Sequence, residues 1–293
     1  MPYNEYVTLN TGAKMPTVGL GTWKSKPGEV EHAVAYALKE AGYKHVDTAA
    51  AYRNETEVGK GIKDSGVARE DIWLTTKLNN PDHGDEEASL FRSLKNLDTP
   101  YLDLWLMHWP APMTKAMKPD FDKDWLDTWK AMEKVYKDHP DKVKAIGVCN
   151  FSVEFLRRLL KEATVIPAVN QIELHEAERS LAKENGIVIT AYSPLGSDGS
   201  PLLANEVVVK IAEKHEVHPA NVLISLWANT DNTSVIPKSV SNSRIKNNFK
   251  IVTLSDDEVA ELFKIVETHR FRACGPEWTG WGHLGFEDRK NLK

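Results

Sequence analysis

Eight short β-rich runs recur along this chain, and most are followed by a stretch in which apolar residues repeat with helical spacing. The runs occupy residues 18–21, 44–46, 72–76, 102–107, 144–148, 168–172, 188–192 and 233–236. Each run is too apolar to expose either face to water, which is typical of strands buried in a parallel sheet. Eight such strands alternating with helices predict a closed α/β structure, a single (β/α)8 TIM barrel.

The stretches between the runs carry the helical pattern and some of its end signals. Helices are predicted over residues 29–41, 55–65, 85–97, 124–136, 153–161, 177–185 and 220–228, with two more over residues 244–249 and 256–268. Ser255 and Glu258 have the spacing of a capping box at the start of the last helix.

Segments at the two ends lie outside this alternation. Residues 6–9 and 14–16, joined by Asn10-Thr11-Gly12, predict a β-hairpin that could plug the bottom of the barrel. The tail after His269 has no clear secondary-structure element and contains Trp278 and Trp281. We expect this aromatic tail to cover the substrate site.

Composition and charge exclude several classes of protein. With 293 residues and no Gly-, Ser- or Pro-rich linker, the chain is predicted to form one domain over residues 1–293. Its net charge of −5 gives no electrostatic reason to expect nucleic acid or an anionic membrane surface as a partner. It has neither a signal segment nor an apolar run near the ~18 residues that cross a bilayer. Two cysteines cannot form a disulfide framework, which favours a cytoplasmic location. No metal is expected, since His215 and His218 have no Cys or third His nearby.

Four ionisable residues are placed where a barrel of this kind does its chemistry. Asp47, Lys77 and His108 follow the second, third and fourth runs, and Tyr52 lies five positions beyond Asp47. Carboxyl ends of parallel barrel strands converge on one face. Taken singly, each residue also has an ordinary interpretation: a turn Asp, a structural ion pair, a core histidine or a packing tyrosine. Their joint placement favours a catalytic site.

These residue types suit proton transfer to a carbonyl oxygen. A free tyrosine has a pKa near ~10, and we expect the Lys77 ammonium to lower the pKa of Tyr52 by stabilising the phenolate. Asp47 would hold that ammonium in place. His108 could orient a carbonyl by hydrogen bonding, which leaves Tyr52 as the general acid.

Short motifs follow one another in a characteristic order. They are Gly19-Leu20-Gly21-Thr22-Trp23, His45-Val46-Asp47-Thr48-Ala49, Tyr52 with Glu57, Lys77, Tyr101-Leu102-Asp103-Leu104, His108-Trp109-Pro110, Gly147-Val148-Cys149-Asn150-Phe151, Asn170-Gln171-Ile172-Glu173, Ala191-Tyr192-Ser193-Pro194-Leu195-Gly196 and Ile236-Pro237-Lys238-Ser239. In this order they make the chain resemble the aldo-keto reductase family over essentially its whole length. The resemblance implies a (β/α)8 barrel that binds a nicotinamide cofactor in an extended pose, with Asp47, Tyr52, Lys77 and His108 as the catalytic tetrad.

The same resemblance implies a set of cofactor contacts. Asn150 and Gln171 would bind the carboxamide, and Tyr192 would stack on the nicotinamide ring. Contacts to the rest of the cofactor would come from Thr22, Trp23, Asp47, Ser193, Leu195, Ser197, Lys238, Ser239, Val240, Arg244 and Asn248. Two cations, Lys238 and Arg244, suit the 2′-phosphate of NADP(H), although without the family resemblance a solvated basic patch is the simpler interpretation. The Rossmann glycine fingerprint is absent, since Gly19-Leu20-Gly21-Thr22-Trp23 lacks the third glycine.

Aromatic residues are the main candidates for substrate contacts. Trp23, Trp109, Trp278 and Trp281 would surround the substrate beside Tyr52 and His108. The tail resembles that of fungal sugar and glyceraldehyde or glycerol reductases. We therefore expect a monomer or weak homodimer that uses NADPH to reduce aldehydes, including short sugars such as glyceraldehyde, to alcohols.

Two other functions stay open at this stage. The barrel could be a cofactor-binding regulatory or structural protein with little turnover. It could also be an aldolase in which Lys77 forms a Schiff base, although pairing with Asp47 would make Lys77 a poor nucleophile.

The sequence departs from the family pattern at two places near the expected cofactor. Cys149 stands where most relatives have a serine, and a thiol is a weak hydrogen-bonding group. After His175 about five residues are missing by eye before the next helix. We expect the first difference to weaken cofactor binding, and the second to affect cofactor geometry.

Overall fold

The computed structural model describes residues 3–173, 176–197, 200–268 and 272–289. Strands β1 (Tyr6–Thr8) and β2 (Lys14–Pro16) pair antiparallel as the predicted hairpin. The other strands form an eight-stranded parallel sheet in chain order: β3 (Leu20–Gly21), β4 (His45–Asp47), β5 (Trp73–Leu78), β6 (Leu104–Met107), β7 (Ile146–Cys149), β8 (Val169–Ile172), β9 (Val188–Tyr192) and β10 (Thr233–Ile236). All eight predicted strands are present.

The first and last strands of the sheet meet, so that the sheet closes into a barrel. Parallel bridges join Val18 to Val235 and Gly21 to Lys238, and the Gly19 amide donates to the Val235 carbonyl at 2.9 Å. A side chain at Gly19 would meet the His45 ring at 2.7 Å, which accounts for glycine at this seam. The predicted (β/α)8 barrel is therefore confirmed.

Ten α-helices lie within the described residues. They are α1 (Glu29–Lys39), α2 (Glu55–Ser65), α3 (Glu86–Asn96), α4 (Trp125–Asp138), α5 (Val153–Glu162), α6 (Glu176–Glu184), α7 (Glu206–Lys214), α8 (Pro219–Ala228), α9 (Asn242–Asn248) and α10 (Asp256–Thr268). Across these described stretches, no helix is long and apolar enough to cross a membrane. The predicted capping box is present, because Ser255 and Glu258 each accept the other's backbone N–H.

Helix α7 was not predicted, and three consecutive valines of low helix propensity lie in its first turn. Its helical start is fixed by the Asn205 side chain, which accepts the Val207 N–H at 3.0 Å. Val208, Ile211 and Ala212 are buried at helical spacing. An N-cap and one apolar face thus outweigh the low helix propensity of valine.

The hairpin closes the amino end of the barrel, as predicted. Leu9 and Met15 are buried in one apolar cluster with the interior residues Trp73, Leu104 and Leu106. Asn10 at the hairpin turn donates to the Pro167 carbonyl at 3.1 Å, just before β8. A second and larger apolar core lies between the barrel and its helices.

The carboxyl-terminal tail contains single turns of 3-10 helix at Glu277–Thr279 and Glu287–Arg289, where no element was predicted. The buried Arg272 side chain forms an ion pair with Asp288 at 2.9 Å. The Trp281 indole donates to the Pro112 carbonyl at 2.9 Å, which ties the tail to the loop between β6 and α4. Residues 269–271, where the tail was predicted to begin, lie outside the described residues.

Replacing Met15 tests the hairpin's part in stability. Met15 is fully buried, so Met15→Ala leaves a cavity and should lower the free energy of unfolding by about 2–5 kcal/mol. Lys14→Ala, at the exposed neighbouring position, should change it by less than about 0.5 kcal/mol. Urea denaturation measures both values. Equal effects of the two substitutions would show that the hairpin does not plug the barrel.

Candidate active site

A fully buried ion pair lies at the floor of the site, at the carboxyl end of the barrel. The Lys77 Nζ atom on β5 is 2.6 Å from Asp47 Oδ1 on β4 and also donates to the Thr48 carbonyl at 2.8 Å. A buried ammonium is very costly without such partners. The register that pairs β4 with β5 thus places two opposite charges together and satisfies both.

Tyr52 and His108 lie over this pair. The turn Ala50–Tyr52 brings the Tyr52 hydroxyl to 3.4 Å from Lys77 Nζ. The Tyr52 and His108 rings meet edge to face, with their centres 5.6 Å apart. The structure therefore brings together all four residues of the predicted tetrad.

The pKa of Tyr52 differs from the expectation. Burial, and next the negative charge of Asp47, raise the pKa of Tyr52 well above its usual value of 10.0. The expected lowering by Lys77 does not occur, because the same ammonium is paired with Asp47 and burial disfavours the phenolate. The phenol therefore keeps its proton at neutral pH.

His108 is held as a neutral imidazole. Burial, and next the Lys77 ammonium, keep the pKa of His108 well below its usual value of 6.5. Its buried Nδ1 atom has no hydrogen-bond partner among the described residues. A neutral ring can donate one N–H and accept at its other nitrogen.

A group of amide side chains adjoins the tetrad. Gln171 at the end of β8 donates to Asp47 Oδ2 at 2.6 Å, so that both oxygens of this carboxylate are bonded. Asn150 after β7 donates to the His108 carbonyl at 3.0 Å and accepts the Tyr192 hydroxyl at 2.8 Å. Asn150, Gln171 and Tyr192, the residues predicted to contact the nicotinamide, are thus joined to the tetrad.

A cavity of about 440 Å³ opens above these groups. Among the predicted site residues, those lining it are Thr22, Trp23, Asp47, Tyr52, His108, Trp109, Asn150, Gln171, Tyr192, Ser193, Lys238 and Trp278. Lys77 is buried beneath the floor. The rings of Trp109 and Trp278 meet edge to face at 5.8 Å, so the tail does form part of the wall.

Other predicted site residues do not line this cavity. They are Leu195, Ser197, Ser239, Val240, Arg244, Asn248 and Trp281. Arg244 is exposed on α9, whereas Asn248 at its end is buried. Trp281 packs on Phe121 with ring centres 4.9 Å apart, on the loop between β6 and α4. The structure leaves the predicted roles of these residues as predictions.

Sequence reasoning missed several residues of the cavity wall: Arg53, Asn79, Asn80, Met117, Ala273, Cys274 and Gly275. Asn79 and Asn80 follow β5, so the rule about strand ends could have found them. Met117 and the three tail residues lie in segments without periodicity. The tail was expected at the site through its tryptophans, and no sequence signal distinguished these four residues.

The two departures from the family pattern have different outcomes. Asn150 donates to the Cys149 sulfur at 3.1 Å, and that thiol in turn lies 3.9 Å from Gln171 Oε1. The Cys149 thiol therefore lies between the side chains of Asn150 and Gln171. His175 lies outside the described residues, and α6 begins at Glu176.

Among the residues that the structure describes, no group of three or more His, Cys, Asp or Glu could hold a metal ion.

Comparison with known proteins identifies the family. The chain matches the Aldo/keto reductase family over residues 17–267 and belongs to it. It is 43% identical to glycerol 2-dehydrogenase (NADP(+)) of Saccharomyces cerevisiae over 93% of this chain and 95% of that protein. It is 45% identical to D-galacturonate reductase of Hypocrea jecorina over 87% and 88% of the two chains. The crystal structure of a Bombyx mori aldo-keto reductase in complex with NADP superposes with a TM-score of 0.89 at 30% identity, covering 97% and 100% of the two chains. The predicted family is confirmed, and with it the prediction of an oxidoreductase.

A titration tests the electrostatics of the site. The His108 ring should stay neutral as the pH falls through 6.5, because burial and Lys77 depress its pKa well below that value. The unfolded chain binds a proton at this position below about pH 6.5 and the folded protein does not, so this residue lowers stability as the pH falls through that value. NMR of the histidine rings, with the His108 signal identified from His108→Gln, measures the titration. A midpoint near 6.5 would contradict this description of the site.

Proposed function

We propose that the protein reduces aldehydes, including short sugars such as glyceraldehyde, to alcohols with NADPH. The observation that carries this proposal is the Tyr52 hydroxyl, 3.4 Å from a lysine that is itself paired with Asp47, at the floor of a cavity. A phenol next to a buried cation can protonate an oxygen that is gaining negative charge.

The residues present fit a nicotinamide cofactor. Amide side chains at Asn150 and Gln171 suit a carboxamide, and the Tyr192 ring at the cavity suits stacking. Two basic side chains, Lys238 and Arg244, are exposed on the segment after β10 and suit phosphate groups. The glycerol 2-dehydrogenase named above is described with NADP(+), and the Bombyx mori structure with NADP. When bound, NADPH supplies the hydride that reduces the carbonyl carbon.

The protein's own groups handle the proton and orient the substrate. His108 is neutral and can donate an N–H to the carbonyl oxygen, which places that oxygen near the Tyr52 hydroxyl. As charge builds on the oxygen, Tyr52 donates its proton, and the Lys77 ammonium stabilises the phenolate that remains. Asp47 and the Thr48 carbonyl hold Lys77 in position throughout.

The alternative aldolase function is disfavoured by the position of Lys77. Its Nζ atom is buried, ion-paired and beneath the cavity floor rather than on its wall. A Schiff base needs a neutral amine that touches the substrate. A regulatory barrel with little turnover is disfavoured by the assembled tetrad, since binding alone does not require it.

The setting proposed for this reaction follows from composition. A net charge of −5 and two free cysteines support a cytoplasmic protein that acts on small molecules rather than nucleic acid. We propose that it works as a monomer or weak homodimer.

Removing the Tyr52 hydroxyl tests the proposed general acid. Tyr52→Phe should lower kcat for glyceraldehyde by about 10²–10⁴-fold, the usual contribution of general acid catalysis, while the protein stays folded. NADPH absorbance measures the rate, and circular dichroism checks the fold. Tyr101→Phe, which removes a hydroxyl before β6 at the other end of the barrel, is the matched control. Retention of most activity by Tyr52→Phe would refute the assignment.

Replacing the Cys149 thiol tests its effect on the cofactor. A hydroxyl bonds Asn150 and Gln171 more strongly than a thiol does, so Cys149→Ser should bind NADPH more tightly by about two- to tenfold. Fluorescence titration of each protein with NADPH gives the two dissociation constants. Tighter binding by the native protein would count against the expected weakening by Cys149.

A further inference from the structure

The carboxylate of Glu173 binds the tail across 100 residues of sequence. Glu173 follows β8 directly and is 6% exposed. Its Oε1 accepts the backbone N–H of Ala273 at 2.7 Å, and its Oε2 accepts the backbone N–H of Cys274 at 2.9 Å. We call this arrangement, consisting of the Glu173 carboxylate and these two amides, the tail anchor.

The geometry of the tail anchor makes it a strong link. Both carboxylate oxygens are used, and hydrogen bonds to an ionised group are about twice as strong as neutral ones. Arg272 adds a longer bond of 3.4 Å to the Glu173 carbonyl and is itself held by Asp288. Burial raises the pKa of Glu173, and the two backbone amides act in the opposite direction by stabilising the carboxylate.

The anchored residues form part of the cavity wall. Ala273, Cys274 and Gly275 all line the cavity, as does Trp278 three positions further on. Tyr192, the residue predicted to stack on the nicotinamide, lines the same cavity. The position of this wall therefore depends on a carboxylate that itself lies outside the lining.

We propose that Glu173 is a positioning residue for the aldehyde site: its carboxylate fixes the tail wall through the amides of Ala273 and Cys274 and thereby sets substrate affinity. The inference rests on the proposed function, because it concerns the affinity for the aldehyde. It assigns Glu173 no contact with the reacting atoms.

The chain provides a matched control for this role. Glu133 on α4 is also buried, at 4% exposure, and its Oε1 accepts the backbone N–H groups of Thr164 and Val165 at 2.7 and 2.9 Å. These residues follow α5 and do not line the cavity. Glu133→Gln therefore disturbs the same kind of interaction without touching the wall.

The experiment compares Glu173→Gln with Glu133→Gln in the full-length protein. An amide has one acceptor oxygen, and its NH₂ group faces a second N–H donor, so Glu173→Gln should release one tail amide. KM for glyceraldehyde should rise about tenfold and kcat should change by less than about threefold, which corresponds to one lost charge-assisted hydrogen bond. Amide hydrogen exchange at residues 273 and 274 should accelerate about tenfold or more. Glu133→Gln should change neither KM nor this exchange.

Several outcomes would overturn the inference. An unchanged KM in Glu173→Gln would do so even if exchange accelerates, as would an equal rise of KM in Glu133→Gln. If Glu173→Gln does not fold, Glu173→Asp keeps the charge with a shorter reach, and it should give a smaller rise of KM in the same direction. If the wild-type protein reduces no aldehyde, only the proposed function is refuted. Slow hydrogen exchange of the amides at residues 273 and 274 would still show the tail anchor.

Discussion

The buried ion pair between Lys77 and Asp47 is the interaction on which the rest of the site depends. Two charges at 2.6 Å inside a barrel are stable only if every remaining hydrogen-bonding position is filled. The Thr48 carbonyl, the Tyr52 hydroxyl and the Gln171 amide fill them, and Thr48 and Gln171 lie on different sides of the barrel. The pair therefore requires a closed barrel with its strands in register, and it links the tetrad to the residues expected to hold the cofactor.

The pair also determines how protons are held nearby. Burial, and next the Asp47 carboxylate, raise the pKa of Tyr52 and keep the phenol protonated. His108 is neutral because burial, and next the Lys77 ammonium, disfavour its charged form. A site made of one balanced pair and two neutral donors is suited to give a proton to an oxygen only when charge develops on it.

Much of this architecture could be predicted from the sequence, because the signals are local. Buried strands are short apolar runs and helices show apolar residues at helical spacing, so the predicted strands and helices differ from the observed ones by a few residues. Among the described helices, α7 was missed. The tetrad followed from the rule that strand ends converge. The tail anchor could not be predicted, since it joins Glu173 to the backbone of Ala273, and backbone amides carry no residue signature. The predicted lowering of the Tyr52 pKa was wrong, because burial and the distance to the Asp47 charge depend on three-dimensional placement.

The β1–β2 hairpin also bears on how Tyr52 regains its proton after each proposed turnover. Leu9 and Met15 close the barrel at its amino end. They pack in one apolar cluster with interior side chains that include Leu104 and Leu106. The cavity at the carboxyl end, by contrast, is lined by Tyr52 itself and gives its hydroxyl a direct route to solvent. A product that stays bound in this cavity would therefore delay the return of a proton to Tyr52.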